Sequence, residues 1–321
     1  MRALVTGGSG YLGSHVCKRL KQEGWDVVVY DIRNPKHTYA DIYCQGDIRD
    51  RNTLDDLLGK VKFDVVFHFA GRIEVGESGK IPTEFYDVNT GGTCNLLNVM
   101  VKHGVDNIIY SSTAAVYRTM DIQLDEFDEV QYKTNAYAGS KLSAEYAIQQ
   151  SGLKHIIFRY FNLAGADPDG EMGECHEPET HLIPLMFKNL NNFIINGDDY
   201  RTPDGTCIRD YVHVSDVADA HILAASYMDT RGANQPTLFN LGTGKGYSVL
   251  EVIHTTAEEL KTPITYKFGQ RREGDPPRLV ANIDSAKRHL KFKPKHNLSS
   301  ILTTAYNWHN IHHEKTKENR N

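Results

Sequence analysis

The sequence predicts an α/β chain built on a doubly wound parallel sheet, with a smaller C-terminal α/β domain for a substrate. Three observations predict it. A glycine-rich turn, Gly7-x-x-Gly10-x-x-Gly13, directly follows the apolar run Ala3-Leu4-Val5; short β-branched runs alternate with helical patterns to about residue 165; and an acid, Asp31, ends the second run. Strand, glycine turn, helix, strand and acid, in that order, form the pattern of a Rossmann-type dinucleotide-binding unit. At 321 residues the chain exceeds the roughly 250–300 residues that one core usually supports. The expected division is residues 1–165 and residues 166–321, with segments free to interleave.

Each element follows from its residues. Ala3-Leu4-Val5, Val27-Val28-Val29-Tyr30, Asp64-Val65-Val66-Phe67, Asn107-Ile108-Ile109-Tyr110 and His155-Ile156-Ile157-Phe158 read as parallel strands covered on both faces. Between the first two, Leu12, Val16 and Leu20 share one helical face at i, i+4 and i+8, and Gly24 supplies the stop. Asn34 to Ala40 is too short for a crossover helix before a strand at Tyr43-Cys44, so a loop or single turn is expected there. Beyond Asn162 the rhythm changes to longer polar loops. A helix is expected near His181 to Leu190, a strand at Phe193-Ile194-Ile195, and helices near Val249 to Leu260, Ser285 to Leu290 and Ser299 to His309.

Composition narrows the class. With 40% hydrophobic and 24% charged residues the chain is globular rather than disordered or fibrous. A net charge of -5 with dispersed Lys and Arg gives no footprint for nucleic acid or a membrane surface. Cys17, Cys44, Cys94, Cys175 and Cys207 are odd in number and lack paired spacing, so reduced thiols are expected rather than disulfides or a zinc site. No charged leader and no apolar stretch of about 18 residues is found, which predicts a cytoplasmic protein. Asn297-Leu298-Ser299 reads as a chance match to the glycosylation pattern.

The glycine turn has a physical role. Glycines let the backbone bend sharply and approach a pyrophosphate, while Tyr11 and Leu12 open a helix whose N-terminus offers free N–H groups. Asp31 would accept hydrogen bonds from the adenosine 2′- and 3′-hydroxyls and repel a 2′-phosphate, which favours NAD over NADP. Arg33, close by, blurs that preference. Asp47-Ile48 would either frame the adenine or simply close a strand-end turn.

Tyr137 and Lys141 stand at i, i+4 and so share a helix face. A tyrosine with a pKa of about 10 is a poor base at neutral pH, but an ammonium and a positive nicotinamide beside it would favour the phenolate. The preceding strand delivers Ser111-Ser112-Thr113 to the same crevice, where a hydroxyl can share the reacting proton.

These segments occur together with GDIRD at 46–50, HFAG at 68–71, RYFN at 159–162, GDDYRTPDGTCIRDYVHVSDVADAH at 197–221 and RREGDP at 271–276. In that order, over almost the whole chain, they resemble the extended short-chain dehydrogenases/reductases, and among these the UDP-glucose 4-epimerase family. The resemblance implies inversion at sugar C4 in two hydride steps. Tyr137 would take the 4-hydroxyl proton, with Thr113 bonded to the same oxygen, as hydride passes to NAD; the 4-keto sugar would turn over and receive the hydride on its other face. Lys141 would hold the nicotinamide ribose and lower the Tyr137 pKa. Cofactor contacts are implied at Gly7, Gly10, Tyr11, Leu12, Gly13, Asp31, Asp47, Ile48, Phe69, Ala70, Asn89, Lys141 and Tyr160. Nucleotide-sugar contacts are implied at Thr113, Tyr137, Asn162, Arg209, Arg272, Asp275 and Leu279. A UDP-sugar substrate, a homodimer and turnover without added NAD follow from the same resemblance.

The chain also departs from its family. Many members carry lysine two residues after the HFAG glycine, where this chain has Arg72-Ile73. Ala136 replaces a usual proline and Arg118 a usual glycine. Leu279 stands where glucose-restricted relatives have tyrosine, leaving volume for a 2-acetamido group. A 4,6-dehydratase would need an acidic pair where Ala114-Ala115 follow Thr113. A UDP-pentose epimerase or decarboxylase and a non-enzymatic NAD-binding scaffold are the remaining alternatives. His309, His312 and His313, and likewise His176 and His181, read as solvated side chains, and no metal site is expected.

Overall fold

A computed structural model describes residues 1–318 apart from 36, 38, 119, 132–134, 177–178 and 273, with side chains described to residue 311. The first half supplies β1 (Arg2–Thr6), β2 (Asp26–Asp31), β3 (Ile42–Gln45), β4 (Val65–His68), β5 (Asn107–Thr113), β6 (Gln123–Leu124), β7 (Lys154–Tyr160) and β8 (Asn162–Ala164). The second supplies β9 (Phe193–Asn196), β10 (Ile208–His213), β11 (Leu238–Leu241), β12 (Gly246–Ser248), β13 (Tyr266–Gly269) and β14 (Arg278–Ala281).

Seven of these form one sheet in the order β11-β7-β5-β4-β1-β2-β3, every pair parallel. The chain runs outward from β1 to β3, then returns to β4 on the other side of β1. That reversal opens a crevice at the carboxyl ends of β1 and β4. The expected strands are all present, and between β2 and β3 there is no helix among the described residues.

Successive strand residues face opposite sides, and both sides are apolar because both are covered. Leu4, Val28, Tyr30, Val66 and Ile108 pack beneath α2 (Arg51–Lys60), α5 (Gly92–His103) and α6 (Ala136–Gln150). Two short helices, α3 (Val75–Ser78) and α4 (Pro82–Phe85), and a π-helical turn at Tyr86–Gly91 lead into α5. Ala3, Val5, Val29, Phe67 and Phe158 face α1 (Tyr11–Gln22) and α8 (Val214–Thr230). The predicted face of α1, Leu12, Val16 and Leu20, is buried there, and Gly24 follows at φ +76°.

The sheet does not stop at residue 165. Strand β11 pairs with β7, Leu238 opposite Ile157, and α8 covers one face, so residues from the second half complete the first-half sheet. Conversely, β6 pairs with β14 in the smaller sheet, ordered β12-β10-β14-β6 with β8 alongside β10. The boundary at 165/166 thus cuts neither sheet cleanly. Strands β9 and β13 pair separately. A third core joins α7 (Leu182–Lys188), α9 (Val249–Leu260) and α10 (Leu298–Glu318) through Ile183, Phe187, Val252, Ile253, Ile301 and Leu302.

Two expected helices differ in form. Ala286–Leu290 is a π-helical turn, and α10 continues past His309 to Glu318. The Asn297 Oδ1 accepts the Ser300 N–H at 2.9 Å, so the apparent glycosylation residue is a helix cap. The side chains of His312 and His313 lie outside the described residues.

Candidate active site

The three glycines of the turn meet different demands. Gly7 has φ +73°, and a Cβ there would lie 2.6 Å from the Ala70 amide nitrogen. At Gly13 a Cβ would lie 2.2 Å from the Gly7 carbonyl oxygen, so α1 passes that close to β1 only with a hydrogen in place. Gly10 is less constrained: a Cβ would stand 3.2 Å from the same oxygen and 4.0 Å from the Arg33 guanidinium. Packing therefore demands glycine at 7 and 13, whereas at 10 it keeps the helix mouth open.

That mouth fits a dinucleotide. Gly10 caps α1 without any side-chain hydrogen bond, and the N–H groups of Tyr11 and Leu12 have no acceptor among the described residues. Free amides at the positive end of a helix dipole are the donor set that a pyrophosphate requires. The buried Asp31 carboxylate is held beside the turn, accepting the Ser9 N–H at 3.0 Å and the Arg33 N–H at 2.9 Å. Asp47 lies farther out, where hydrogen bonds from Arg49 (Nη2 at 2.6 Å) hold its carboxyl below the usual range. Ile48 packs so close to Gly92 that a Cβ there would lie 2.4 Å from it.

On the opposite wall, the Phe69 N–H donates to Thr6 O at 2.9 Å and the Phe69 ring packs 5.0 Å from His221. Tyr160 bonds the same imidazole, its hydroxyl 2.8 Å from Nε2. Asn89, fully buried, accepts the Arg72 N–H at 2.7 Å and donates to Ser140 Oγ at 3.0 Å. It thereby ties the turn after β4 to α6, the helix that bears Tyr137 and Lys141. Beneath it, His68 bridges Thr6 Oγ1 (2.7 Å) and Thr93 Oγ1 (2.9 Å), and burial lowers its pKa to about 3, which keeps the link uncharged. Arg72 is committed elsewhere, to Glu84 at 2.5 Å and to the face of Phe85.

At the end of β5, Thr113 lies beside the Tyr137 phenol, near enough to lower its pKa, and Phe85 lies edge-on to the Tyr137 ring at 6.5 Å. Burial raises the Tyr137 pKa, the Thr113 hydroxyl opposes that rise and Glu74 adds to it. The expected lowering by Lys141 is not what this arrangement gives. The reason is geometric: the Lys141 ammonium donates to Ser111 O at 2.6 Å and sits over the Tyr110 ring at 4.9 Å. Burial brings Lys141 itself down to about 8, with Glu145 partly offsetting the effect.

The smaller sheet contributes β8, β10 and β14. Asn162 pairs with Tyr211, and Arg209 stands in register with Leu279 on the adjacent strand. Arg209 donates to Ile208 O (3.0 Å) and Pro276 O (2.8 Å), and its Nη2 lies 3.6 Å from Asp275. Arg272 is exposed and has no ion pair among the described residues. Leu279 packs against the apolar cluster that includes Ala114, Val116 and Tyr117, just beyond Thr113. The strand register thus sets Arg209 beside Leu279, and Leu279 packs on the cluster that follows Thr113, whereas Arg272 stands exposed on the loop before β14.

Residues 3–242 match the NAD dependent epimerase/dehydratase family. The chain belongs to that family. It is 43% identical over 318 residues to a UDP-glucose 4-epimerase of Rhizobium meliloti, covering 95% of this chain and 96% of that one. A structure of the UDP-glucose-4-epimerase of Stenotrophomonas maltophila with bound NAD and formylated UDP-arabinopyranose superposes with a TM-score of 0.91 at 34% identity, covering 98% and 99% of the two chains. The UDP-Glc/GlcNAc 4-epimerase of Campylobacter jejuni gives 0.82 at 32%, covering 97% and 99%. The family's Rossmann-type fold and its NAD dependence agree with the crevice.

Sequence reasoning missed the support of the site. Glu145 lies one further turn along the Tyr137–Lys141 face, buried against Arg159 (2.7 Å) and bonded to Ser112. The spacing Tyr137-x3-Lys141-x3-Glu145 carried that signal. Phe85 and the Ser111 carbonyl left none, since neither contact is local in sequence.

Proposed function

We propose that the enzyme interconverts UDP-glucose and UDP-galactose by inverting sugar C4 at the Tyr137–Thr113 pair. Its activity is that of an NAD-dependent 4-epimerase, the activity for which its full-length relatives are named. The single observation that supports the site assignment is the placement of the Thr113 hydroxyl beside the buried Tyr137 phenol, whose pKa it lowers, in a fold whose glycine turn fits a pyrophosphate. NAD, when bound, accepts the C4 hydrogen with its electron pair and later returns it.

The chain's own residues do the rest. Tyr137, as the phenolate that a positive nicotinamide bound beside it would favour, takes the 4-hydroxyl proton and gives it back, while Thr113 bonds the same oxygen through both steps. Asp31 accepts the adenosine ribose hydroxyls, Asp47 and Ile48 line the adenine end, and Phe69, Ala70, Asn89 and Tyr160 shape the nicotinamide end. Lys141 holds the nicotinamide ribose. Arg209 and Arg272 grip the diphosphate as planar cationic donors, with Asn162 and Asp275 beside them. A sugar that must present both faces of C4 needs its nucleotide fixed, and these groups fix it.

The test is incubation of purified enzyme with UDP-galactose and no added NAD. UDP-glucose as product supports the reading; a requirement for stoichiometric fresh NAD points to a dehydrogenase instead. A finer reading concerns sugar size. Leu279 is smaller than tyrosine and half-buried against the cluster that holds Ala114, and one structural relative is named for both UDP-Glc and UDP-GlcNAc. Turnover of UDP-N-acetylglucosamine is therefore expected, and no product at millimolar substrate ends that idea. A homodimer is part of the same reading, with Val101 of α5 and Tyr146 of α6 exposed on helices available for pairing; light scattering decides it. No described helix is long and apolar enough to cross a membrane, and a cytoplasmic location is proposed.

A further inference from the structure

We propose that Glu174, His176, Glu179 and His181 form a site for a divalent transition-metal ion, Zn²⁺ by its donor set, which pins the loop between β8 and α7. The proposal is independent of the epimerase reading. One donor atom from each of the four lies within 4.8 Å of all the others. His176 Nδ1 is 3.3 Å from Glu174 Oε1 and 3.9 Å from Glu179 Oε1, and His181 Nδ1 bonds the same Glu174 oxygen. The two imidazoles stand edge to face at 5.3 Å, so both Nδ1 atoms converge on the two carboxylates.

Two imidazoles and two carboxylates suit tetrahedral zinc, whose bonds of about 2.0–2.2 Å place neighbouring donors about 3.3–3.6 Å apart. Donors now as far apart as 4.8 Å need to close by about 1.2–1.5 Å, while the His181–Glu174 pair opens to admit the ion. Charge favours it as well. The Glu174 and Glu179 side chains are only 9% and 3% exposed, and their ion pairs among the described residues are with the two imidazoles alone. A dication with neutral imidazoles cancels both charges. Glu179 is already oriented, Oε1 accepting the Thr180 and His181 N–H groups at 2.8 and 2.9 Å.

A second carboxylate cluster in the same loop makes the contrast. Asp167, Asp169 and Glu171 also converge, but Lys18 Nζ fills their centre at 2.9, 2.7 and 2.9 Å. That cluster has its cation built in. The first has no lysine or arginine at its centre among the described residues, and it borders the cofactor crevice: the His176 ring lies edge-on to Tyr11 at 6.5 Å, and the Tyr11 hydroxyl donates to Gly165 O at 2.6 Å.

The experiment uses the full untagged chain, stripped with chelator and dialysed, with metal content read by mass spectrometry after exposure to Zn²⁺. One zinc per chain, a rise in Tm on zinc addition and the visible absorption of tetrahedral Co²⁺ in its place are expected. All three should vanish in His176→Ala/His181→Ala and persist in the surface control His254→Ala. Glu179→Gln serves as the second variant, since it keeps an oxygen for the backbone N–H groups and loses the charge; zinc occupancy should fall at least tenfold. Zinc content no higher in the wild type than in the double variant, the sign of an imidazolium–carboxylate cluster that holds only protons, overturns the proposal.

Discussion

Replacing Gly13 and Gly10 separately by alanine should divide stability from cofactor binding. At Gly13 the new methyl would lie 2.2 Å from the Gly7 carbonyl oxygen and 2.9 Å from the Gly8 Cα. Both are backbone atoms, so relief requires α1 to move against β1. Overpacking of this kind costs about 1–3 kcal/mol, and a backbone clash belongs at the upper end; alanine returns about 1 kcal/mol through helix propensity. The net loss is about 2 kcal/mol. An unfolding entropy of about 2.1 cal/mol/K per residue, applied to 321 residues, converts this to a fall of roughly 3 °C in Tm. At Gly10 the methyl meets the protein only at 3.2 Å and the backbone is extended at φ -80°, so the cost is a weaker N-cap, about 0.5–1 kcal/mol. Its methyl instead enters the mouth above the Tyr11 and Leu12 amides, and NAD affinity should drop at least tenfold, about 1.4 kcal/mol. Scanning calorimetry on cofactor-stripped protein, with NAD titrated calorimetrically, reads both quantities. A Gly10→Ala protein that melts well below Gly13→Ala yet binds NAD normally refutes the assignment of roles.

Three further outcomes are expected. Tyr137→Phe should reduce kcat by about 10²–10⁴, the usual contribution of a positioned proton acceptor, with bound NAD per chain unchanged by mass spectrometry. Burial holds Lys141 near about 8 in the folded protein, against about 10.4 unfolded. The unfolded chain therefore binds more protons between those values, so this group's penalty is present in full below pH 8 and is relieved as pH rises toward 10.4. Denaturant midpoints at pH 7.5 and 9.5 should show a rise in wild type that Lys141→Met lacks. Arg272→Ala should raise KM for the nucleotide sugar about tenfold, about 1.4 kcal/mol of binding, at constant Tm. Arg209→Ala should lower Tm as well, because its guanidinium also holds Ile208 O and Pro276 O.

What was legible in the sequence was whatever depends on neighbours along the chain. The strand β1, the glycine turn and α1 follow from periodicity and φ requirements within about twenty residues, and Tyr137 and Lys141 follow from a single helical turn. What required the fold was pairing at a distance. Leu238–Leu241 is visibly apolar, but nothing local says that it lies beside β7 rather than in the second sheet. Gly10 and Gly13 look alike in sequence and differ only in what their absent side chains would strike. Lys141 was expected to act on Tyr137, but its ammonium is turned to the Ser111 carbonyl, a partner on another strand. His176 and His181 looked solvated because loop spacing alone does not reveal that their Nδ1 atoms converge on Glu174 and Glu179.

The pairing of Arg209 with Leu279 leads to a last prediction. The two residues are in register on adjacent parallel strands, so their side chains leave the same face of the sheet about 4.8 Å apart. In the proposed reaction Arg209 fixes the diphosphate while the sugar swings about that anchor, which places residue 279 beside the arc the sugar sweeps. Leu279→Tyr should therefore obstruct a 2-acetamido group without loosening the nucleotide. Turnover of UDP-N-acetylglucosamine should fall at least tenfold, turnover of UDP-glucose should stay within about twofold, and inhibition by UDP alone should not change; tenfold is about 1.4 kcal/mol, within the range that a misfit of one small group supplies. Competition assays with UDP separate the two effects. If the inhibition constant for UDP rises in step with the loss of acetamido turnover, residue 279 is acting through Arg209, and its reading as a gate on sugar size is wrong.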